Sequence, residues 1–276
     1  MLKWHKDENG LEWGEFPELT ELGIIHGFST RFGGVGEGTY ESLNLGLLAD
    51  SHYPDRTLEN RRRLFKALGL SMDHLASFRQ VHSDRVEAVD RPGICDAGAD
   101  GTVTNSKGVV LLALAADCVP VLIVDSGTKA FGVIHSGWRG TAEKIVVKAI
   151  QKLTQSYGSK PEDIWVGIGP SIGGCCYEVS SEVYDQTWAT TGSGKKSSES
   201  NPHLDLWAVI QTQVMEHGVR PDQVFLAGNC TCCESDRFFS HRAGAGGRCG
   251  LVAGKKKKKK KDWEWLDFDS KRKLNG

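Results

Sequence analysis

The chain has 276 residues, of which 39% are apolar, and this is enough for the core of one large domain or of two merged halves. No apolar run approaches the roughly 18 residues of a membrane helix, and the polar start "MLKWHKDENG" lacks the apolar stretch of a secretory signal, so we expect a cytoplasmic protein with reduced thiols. The net charge of −1 combines +6 in residues 255–276 with −7 in the rest of the chain, and an acidic body argues against a nucleic-acid partner.

The N-terminal part of the chain predicts strands around one helix. The helix is expected at 54–70, because its apolar residues share one face and Gly69 stands at the stop position. The strands are expected in "LEWGEF" (11–16), in "GIIHGFST" (23–30), and in "LASFRQVH" (75–82) and "DRVEAVD" (84–90), which lie around a turn.

The second half of the body predicts a mixture of short strands and helices. Runs rich in Val, Ile, Leu and Ala predict buried strands at Val109–Leu114, Val119–Val124 and Ala130–His135. The remaining segments are helices at 140–158, 180–190 and 204–218, a strand at 163–170, a surface loop at 190–200, and the closing segments "QVFLAG" (223–228) and "RFFSHR" (237–242). Several neighbouring strands are joined by turns too short for a parallel crossover. We therefore expect an α+β fold, with mixed β-sheets and flanking helices in a single large domain.

The lysine-rich end of the chain is expected to lie outside this domain. Its run of seven lysines repels itself and buries nothing apolar. We predict a catalytic domain at 1–254 and a disordered tail at 255–276, and we expect deletion after Gly254 to leave the fold and the activity intact.

Cys118 and His135 stand where apolar runs meet polar or turn residues. Catalytic zinc usually takes three protein ligands and keeps one open position. The third donor should be a histidine at another strand end, and His82, which follows "FRQV", fits this description, while His26 and His241 are alternatives. We therefore predict that His82, Cys118 and His135 converge on one zinc ion, with copper as the alternative metal.

A second set of sulfur donors lies elsewhere in the chain. Cys230 and Cys233 form a Cys-x-x-Cys pair, and Cys175 and Cys176 could complete four sulfurs. Four-cysteine zinc sites usually consist of two Cys-x-x-Cys pairs, however, and adjacent cysteines are expected to point in different directions. We therefore rank this set well below the histidine and cysteine group.

Several blocks of the sequence resemble one known family. They are "STRFGGVGEGTYESLNLG" followed by "ENRRRL", then "RQVHSDRV", "AADCVPVLIVD", "GVIHSGWRG", "GIGPSIGGCCYEV" and "RFFSHR". In this order they are similar to the signature of the laccase-domain, or polyphenol-oxidase-like, proteins, which are also known as peptidoglycan editing factors and purine nucleoside phosphorylases. The resemblance covers residues 20–253.

The resemblance implies a fold, a site and a set of activities. It implies α+β architecture with mixed sheets, a distant kinship to a bacterial toxin with a cysteine–histidine hydrolase site, and His82, Cys118 and His135 as metal ligands. It also implies phosphate-dependent cleavage of purine nucleosides, deamination of adenosine and phosphorolysis of methylthioadenosine. The chain departs from the family pattern in three places: His241–Arg242 stands where the family has two arginines, cysteines are dense near 230, and the lysine-rich tail is foreign to the pattern.

Zinc chemistry and phosphate chemistry need different partners. Zinc lowers the pKa of a bound water from ~15.7 towards ~7, and attack of the hydroxide on C6 of adenine, with a proton shuttle, gives deamination. Phosphorolysis needs cations and N–H groups around the phosphate, and Arg31, beside the glycine-rich "FGGVGEG", and Arg139 are the candidates. Asn44 offers an amide for the base or the ribose, although asparagine in a loop is commonly a turn former.

Three classes of function remain open from the sequence. The favoured one is a zinc enzyme that acts on purine nucleosides and phosphate, with Cys118, His82, His135 and Arg139 at the catalytic centre. The alternative is a cysteine hydrolase, such as an amidase of peptidoglycan precursors, in which Cys118 is the nucleophile and His135 or His82 is the base. A copper polyphenol oxidase is the weakest, because multi-copper clusters need many histidines and the nine histidines here form no His-x-His pair.

Overall fold

The apolar runs of the sequence form strands that are covered on both faces. Strands in such a position do not alternate between apolar and polar residues, because neither face meets water. The computed structural model describes residues 1–47 and 52–255. Within these residues the strands are β1 (Lys3–Lys6), β2 (Glu12–Glu15), β3 (Ile24–Ser29), β4 (Leu75–Arg79), β5 (Val86–Ala88), β6 (Gly93–Gly98), β7 (Gly101–Thr104), β8 (Val110–Ala115), β9 (Val119–Asp125), β10 (Phe131–Ser136), β11 (Ile164–Ile168), β12 (Val224–Leu226) and β13 (Cys249–Lys255). The α-helices of the same residues are α1 (Pro17–Glu21), α2 (Pro54–Ala67), α3 (Trp138–Ala142), α4 (Ile145–Tyr157), α5 (Ser181–Trp188) and α6 (Leu206–Glu216).

The strands form two mixed sheets. The first sheet has the order β1-β2-β3-β13-β8-β4-β6, and the second has the order β12-β11-β9-β10-β7-β5. β4 runs parallel to both β6 and β8, whereas β9 and β10 are antiparallel neighbours. The expected α+β fold with mixed sheets and flanking helices is therefore confirmed.

Alternate side chains on the central strands face two different cores. On β9, Leu122 and Val124 lie in the core between the two sheets, whereas Val121 and Ile123 pack in the core that α4 and α6 share with the second sheet. All four side chains are 0% exposed. Burying one such side chain stabilises the fold by about 1.5–3 kcal/mol. The layers are thus helix, sheet, sheet, helix, with α2 on the outer face of the first sheet.

The helix predicted at 140–158 is two helices in the structure. α3 ends and α4 begins on either side of Lys144, whose φ of 58° is left-handed. An L-residue in this region interrupts the helical hydrogen-bond ladder. The predicted apolar stripe lies on α4, where Val146, Ala149, Ile150 and Leu153 are all 0% exposed.

The sequence analysis also missed some strands and misjudged one pairing. The segments 75–82 and 84–90 do not form a hairpin, since β4 belongs to the first sheet and β5 to the second. β1, β6, β7 and β13 were not predicted. β6 is largely exposed without alternation, and the glycines of β13 lower its strand propensity. "RFFSHR" lies in turns and irregular structure.

Three connections lead from the first sheet to the second and place the candidate functional residues near one another. The chain leaves the first sheet for the second between β4 and β5, between β6 and β7, and between β8 and β9. Because β4, β6 and β8 are parallel, their carboxyl ends meet at the same edge of the first sheet. The carboxyl end of β10 lies there too, since Ser136 pairs with Val119 at the start of β9.

β13 extends one residue past the predicted domain boundary. Lys255 pairs with Ile24, and its ammonium group donates a hydrogen bond to the backbone oxygen of Asn105 at 2.7 Å. Lys255 therefore belongs to the first sheet and not to the tail. The rest of the predicted tail, 256–276, lies outside the described residues. No helix in the described part of the chain is both long enough and apolar enough to span a membrane.

Candidate metal centre

His82, Cys118 and His135 meet at the edge where the chain crosses between the sheets. His82 lies in the crossing after β4, Cys118 directly before β9, and His135 next to the end of β10. Their ligand atoms all lie within 4.8 Å of one another. The two imidazole rings are 4.9 Å apart between centroids and nearly perpendicular, at 80°. The structure thus brings together the three donors that the sequence analysis selected.

Asp100, which the sequence analysis did not single out, holds this group together from the crossing between β6 and β7. Its side chain is 0% exposed. The carboxylate accepts hydrogen bonds from Nδ1 of His135 at 2.8 Å, and from the backbone N–H groups of Val81 at 3.1 Å, His82 at 3.0 Å and Ser83 at 2.7 Å. Because Asp100 engages Nδ1, Nε2 of His135 is left for a metal ion.

Two backbone features permit the close approach of the donors. His82 has a φ of 59°, which is uncommon outside glycine, and its N–H is held by Asp100. A Cβ atom at Gly137 would lie 3.0 Å from Sγ of Cys118 and 3.4 Å from Cδ2 of His82. A side chain at position 137 would therefore press on Cys118 and His82, two of the three candidate donors.

Asp100, His135 and Cys118 shift the pKa values of one another. Burial by itself disfavours the thiolate, but the positive charge of His135 and hydrogen bonds from both histidines outweigh it and lower the pKa of Cys118 to about 6. Burial likewise opposes a charged imidazole, yet the Cys118 thiolate and the bond to Asp100 raise the pKa of His135 to about 9. Desolvation also opposes the Asp100 charge, and its hydrogen bonds to His135 and Ser83 lower the pKa of that carboxyl to about 2. The contacts therefore favour negative charge on Asp100 and Cys118 and positive charge on the His135 ring between them.

The donor set fits a metal ion of borderline softness. One thiolate and two imidazoles are ligands that zinc and copper accept, whereas magnesium and calcium prefer oxygen. The Nδ1 hydrogen bond from His135 to Asp100 is the usual support of a metal-binding histidine. Three protein donors leave an open position for a further ligand.

The two alternative histidines lie elsewhere. His26 is buried beneath α1, where Nε2 accepts the backbone N–H of Phe16 at 2.9 Å and Nδ1 bonds to the carbonyl of Ile24 at 3.1 Å. Burial lowers the pKa of His26 to about 4. His241 is exposed in a turn. Within the described residues neither joins a group of metal-binding side chains.

The two predicted arginines differ in their availability. Arg139 is exposed on α3, and its guanidinium carbon lies 4.4 Å from the centre of the Trp138 ring. Arg31 donates from Nε to the carbonyl of Glu41 and from Nη1 to the carbonyl of Ser235, each at 2.8 Å. The guanidinium of Arg139 is therefore more available than that of Arg31 to bind an anion.

Asn44 has a structural role. Its side chain lies in a residue only 1% exposed, and Oδ1 accepts the backbone N–H groups of Gly46 and Arg248, each at 2.9 Å. Nδ2 donates to the carbonyl of Gly46 and to the hydroxyl of Thr57, each at 3.3 Å. Both ends of the amide are engaged, so the sequence-based suggestion that Asn44 binds a base or a ribose does not fit this geometry.

Tyr177 lies in the loop after β11 and feels the charge of Cys118, and no pattern in the sequence pointed to it. Burial and the negative charge of Cys118 raise the pKa of Tyr177 to about 12, although Arg242 acts in the opposite direction. The Arg242 guanidinium lies 5.4 Å from the centre of the Tyr177 ring. The phenol therefore stays protonated and is able to donate a hydrogen bond.

Comparison with known proteins identifies the family. Residues 25–255 match a family model described as multi-copper polyphenol oxidoreductase laccase. A Geobacillus stearothermophilus protein named purine nucleoside phosphorylase YlmD is 33% identical over 81% of this chain and 86% of its own length, and a Deinococcus radiodurans protein named purine nucleoside phosphorylase is 36% identical over 84% and 90%. The crystal structure of YlmD from Geobacillus stearothermophilus matches with a TM-score of 0.82 and 30% identity over 92% of this chain and 99% of that one. The chain therefore belongs to the laccase-like family, as the resemblance of its sequence blocks predicts.

Proposed function

We propose that the protein is a metal-dependent purine nucleoside phosphorylase, with adenosine deamination and methylthioadenosine phosphorolysis as further activities of the same site. The observation that carries the proposal is the group of His82, Cys118 and His135, whose ligand atoms lie within 4.8 Å of one another at the rim of the sheets. The two relatives named purine nucleoside phosphorylase support purine nucleosides and phosphate as the substrates. All eight cysteines are free, which suits the reducing cytoplasm that we include in the proposal.

We propose zinc as the metal, with copper as the alternative, and His82, Cys118 and His135 as its ligands. A bound zinc ion supplies Lewis acidity and makes hydroxide available at neutral pH. Asp100 orients the ring of His135 through Nδ1 and anchors the backbone of His82, so it would support both histidines as ligands. The absence of any His-x-His pair in the chain argues against multi-copper oxidase chemistry.

The chemistry of phosphorolysis suggests roles for Arg139, Arg31 and Tyr177. A phosphate oxygen forms a bond to C1′ of the ribose, the bond from C1′ to N9 breaks, and the leaving purine takes up a proton. We propose that Arg139 binds the phosphate, because its guanidinium is exposed on α3 and stacked against Trp138. Arg31 is proposed as a second phosphate partner through its positive charge. The protonated phenol of Tyr177 is a hydrogen-bond donor for the leaving purine.

The direct test uses the metal-loaded protein with inosine, with and without phosphate. Hypoxanthine and ribose 1-phosphate should form only with phosphate, and adenosine should release ammonia. Cys118→Ala should abolish both activities, because two histidines alone hold zinc weakly. Cys95→Ala is the matched control, since Cys95 is exposed and lies outside this group. No hypoxanthine in phosphate, together with no ammonia from adenosine, rejects the proposal.

A cysteine hydrolase is the second candidate, and one observation favours it. Asp100, His135 and Cys118 form a chain of contacts that matches the order of acid, base and nucleophile in a catalytic triad. In such an enzyme, an amidase of peptidoglycan precursors for example, a metal ion on Cys118 would inhibit. Amidase activity that rises when the metal is removed, and that iodoacetamide abolishes, would select this alternative. Purine nucleoside cleavage that requires the metal selects the phosphorylase.

A further inference from the structure

A second group of sulfur atoms lies outside the candidate metal centre. Cys175 and Cys176 lie in the turn after β11, and Cys230 and Cys233 lie in the turn after β12. The four Sγ atoms are all within 4.8 Å of one another, and Sγ of Cys233 is 3.5 Å from that of Cys175 and 3.3 Å from that of Cys176. We propose that these four thiols form a second, structural site for one thiophilic divalent ion, with zinc as the fitting metal.

The expectation that adjacent cysteines cannot converge is wrong here, and the backbone explains why. The N–H groups of Cys176 and Tyr177 both donate to the carbonyl of Gly173, at 3.0 Å and 3.1 Å, which winds this segment into a tight turn. The turn directs both neighbouring thiols towards Cys233. The Trp207 ring packs against Gly173, and a Cβ at this position would lie only 2.9 Å from the ring.

The spacing of the sulfurs fits one ion. Four thiolates arranged tetrahedrally at ~2.3 Å from zinc are separated by ~3.8 Å. The two closest contacts, 3.3 Å and 3.5 Å, and the upper limit of 4.8 Å bracket this value. An iron–sulfur cluster distributes its cysteines over several irons and needs wider spacing. All four cysteines are free thiols, as metal binding requires.

The backbone around Cys230 and the nearby Arg242 supply partial and full positive charge to the group. Cys230 is buried, and its Sγ accepts the backbone N–H of Gly173 at 3.2 Å, with further N–H groups supplied by Cys232 and Cys233. The Arg242 guanidinium donates to the carbonyl of Cys176 at 3.3 Å and places a positive charge beside the group. Four thiolates around a divalent ion carry net negative charge, which these N–H groups and Arg242 offset. The displaced thiol protons pass to solvent.

The cysteine group is connected to the first centre through Asp117, the neighbour of Cys118. The carboxylate of Asp117 accepts the hydroxyl of Thr231 and the backbone N–H of Arg242, each at 2.7 Å. Thr231 stands between Cys230 and Cys233, so an ion held by these cysteines would brace the loop that supports Asp117. The proposal goes beyond the proposed function and does not depend on it, because it concerns metal held by other side chains.

The test counts metal ions and identifies their ligands. The full chain is stripped with a chelator under reducing conditions, reloaded with zinc and measured by mass spectrometry of the metal. The wild-type protein should bind about two ions per chain, Cys233→Ser and Cys176→Ser about one, and the control Cys95→Ser about two. A variant that keeps about one ion at the first centre is thereby shown to be folded.

Cobalt supplies a readout that needs no change in the cysteine group. Cys118→Ala removes the thiolate of the first centre, so a sulfur-to-cobalt charge-transfer band in this variant must come from the seven remaining cysteines, and a further Cys233→Ser change tests whether it comes from the proposed group. The band should persist in Cys118→Ala and disappear in Cys118→Ala/Cys233→Ser. Its absence from cobalt-treated Cys118→Ala, or about two zinc ions retained by Cys233→Ser, overturns the proposal. A Cys175–Cys233 or Cys176–Cys233 disulfide found in the wild-type protein isolated under reducing conditions also overturns it.

Discussion

Asp100 binds His135 twice. Its carbonyl oxygen accepts the backbone N–H of His135 at 2.7 Å, and its carboxylate accepts Nδ1–H of the ring at 2.8 Å. The same carboxylate accepts the backbone N–H of His82 at 3.0 Å. One buried aspartate therefore orients a ring on the second sheet and secures a loop that leaves the first sheet. This ring and this loop supply two of the three candidate metal donors.

Asp100→Asn should weaken metal binding about 10–100-fold, as loss of a supporting partner of a metal-bound histidine does in other sites. The amide keeps the shape but loses the charge, and its NH₂ group faces donors instead of accepting from them. Competition with a chromophoric chelator measures the affinity. Asp96→Asn is the matched control, because Asp96 is exposed on the neighbouring β6. Equal affinities in the two variants would contradict the role given to Asp100.

Gly137→Ala should lower metal affinity and activity together, by about tenfold or more, which corresponds to at least 1.4 kcal/mol. The added methyl group would lie 3.0 Å from Sγ of Cys118, so the thiolate has to move away from its two partners. Gly93→Ala provides the control, since nothing lies within 4 Å of a Cβ at that position. Zinc titration and the inosine assay check the result. If Gly137→Ala binds zinc as tightly as Gly93→Ala does, the packing argument is wrong.

Arg139→Ala should raise the KM for phosphate about 10–100-fold while adenosine deamination changes little. A hydrogen bond to a charged group is worth about 1.5–3 kcal/mol, and deamination consumes water and no phosphate. Arg139→Lys keeps the charge and should recover part of the phosphate affinity. Steady-state kinetics with varied phosphate measure the effect. Equal losses of both activities in Arg139→Ala would instead indicate a structural role.

The stability of the fold should fall as the pH drops from about 6.5 towards 4, and His26 should cause part of this loss. Burial lowers the folded-state pKa of His26 from 6.5 to about 4, so in this range the unfolded chain binds a proton that the folded chain does not. At pH 5 the difference is about 2 kcal/mol. The loss is absent above the unfolded pKa and is complete below the folded one.

Urea unfolding of the wild-type protein and of His26→Gln at pH 7.5 and pH 5 tests this assignment. Glutamine retains a donor and an acceptor for the backbone groups of Phe16 and Ile24, but it does not titrate. The wild-type protein should lose about 2 kcal/mol more than the variant on acidification. An identical pH dependence in both proteins would show that His26 is not the responsible group.

Local patterns in the sequence are sufficient to predict much of this molecule. Short apolar runs predict β8, β9 and β10, and the stop position at Gly69, with a φ of 67°, closes the first long helix as expected. The sequence marks Cys118 and His135 because apolar runs meet polar or turn residues there, and it marks His82 because a predicted strand ends there. The end of a strand is where a polar side chain reaches the rim of a sheet. These signals depend only on residues that are near one another in the chain.

The remaining features depend on contacts between distant segments, and only the folded chain decides them. Asp100 and His135 are 35 positions apart, and Cys176 and Cys233 are 57 positions apart, so no local pattern marks either pair. The assignment of β4 and β5 to different sheets likewise follows from pairing with β8 and β7, and not from the turn between them. Strands that are buried on both faces have similar apolar compositions, so composition does not reveal which strands pair. The pairing in the folded chain is what places Asp100 beside His135 and brings two adjacent cysteines to Cys233.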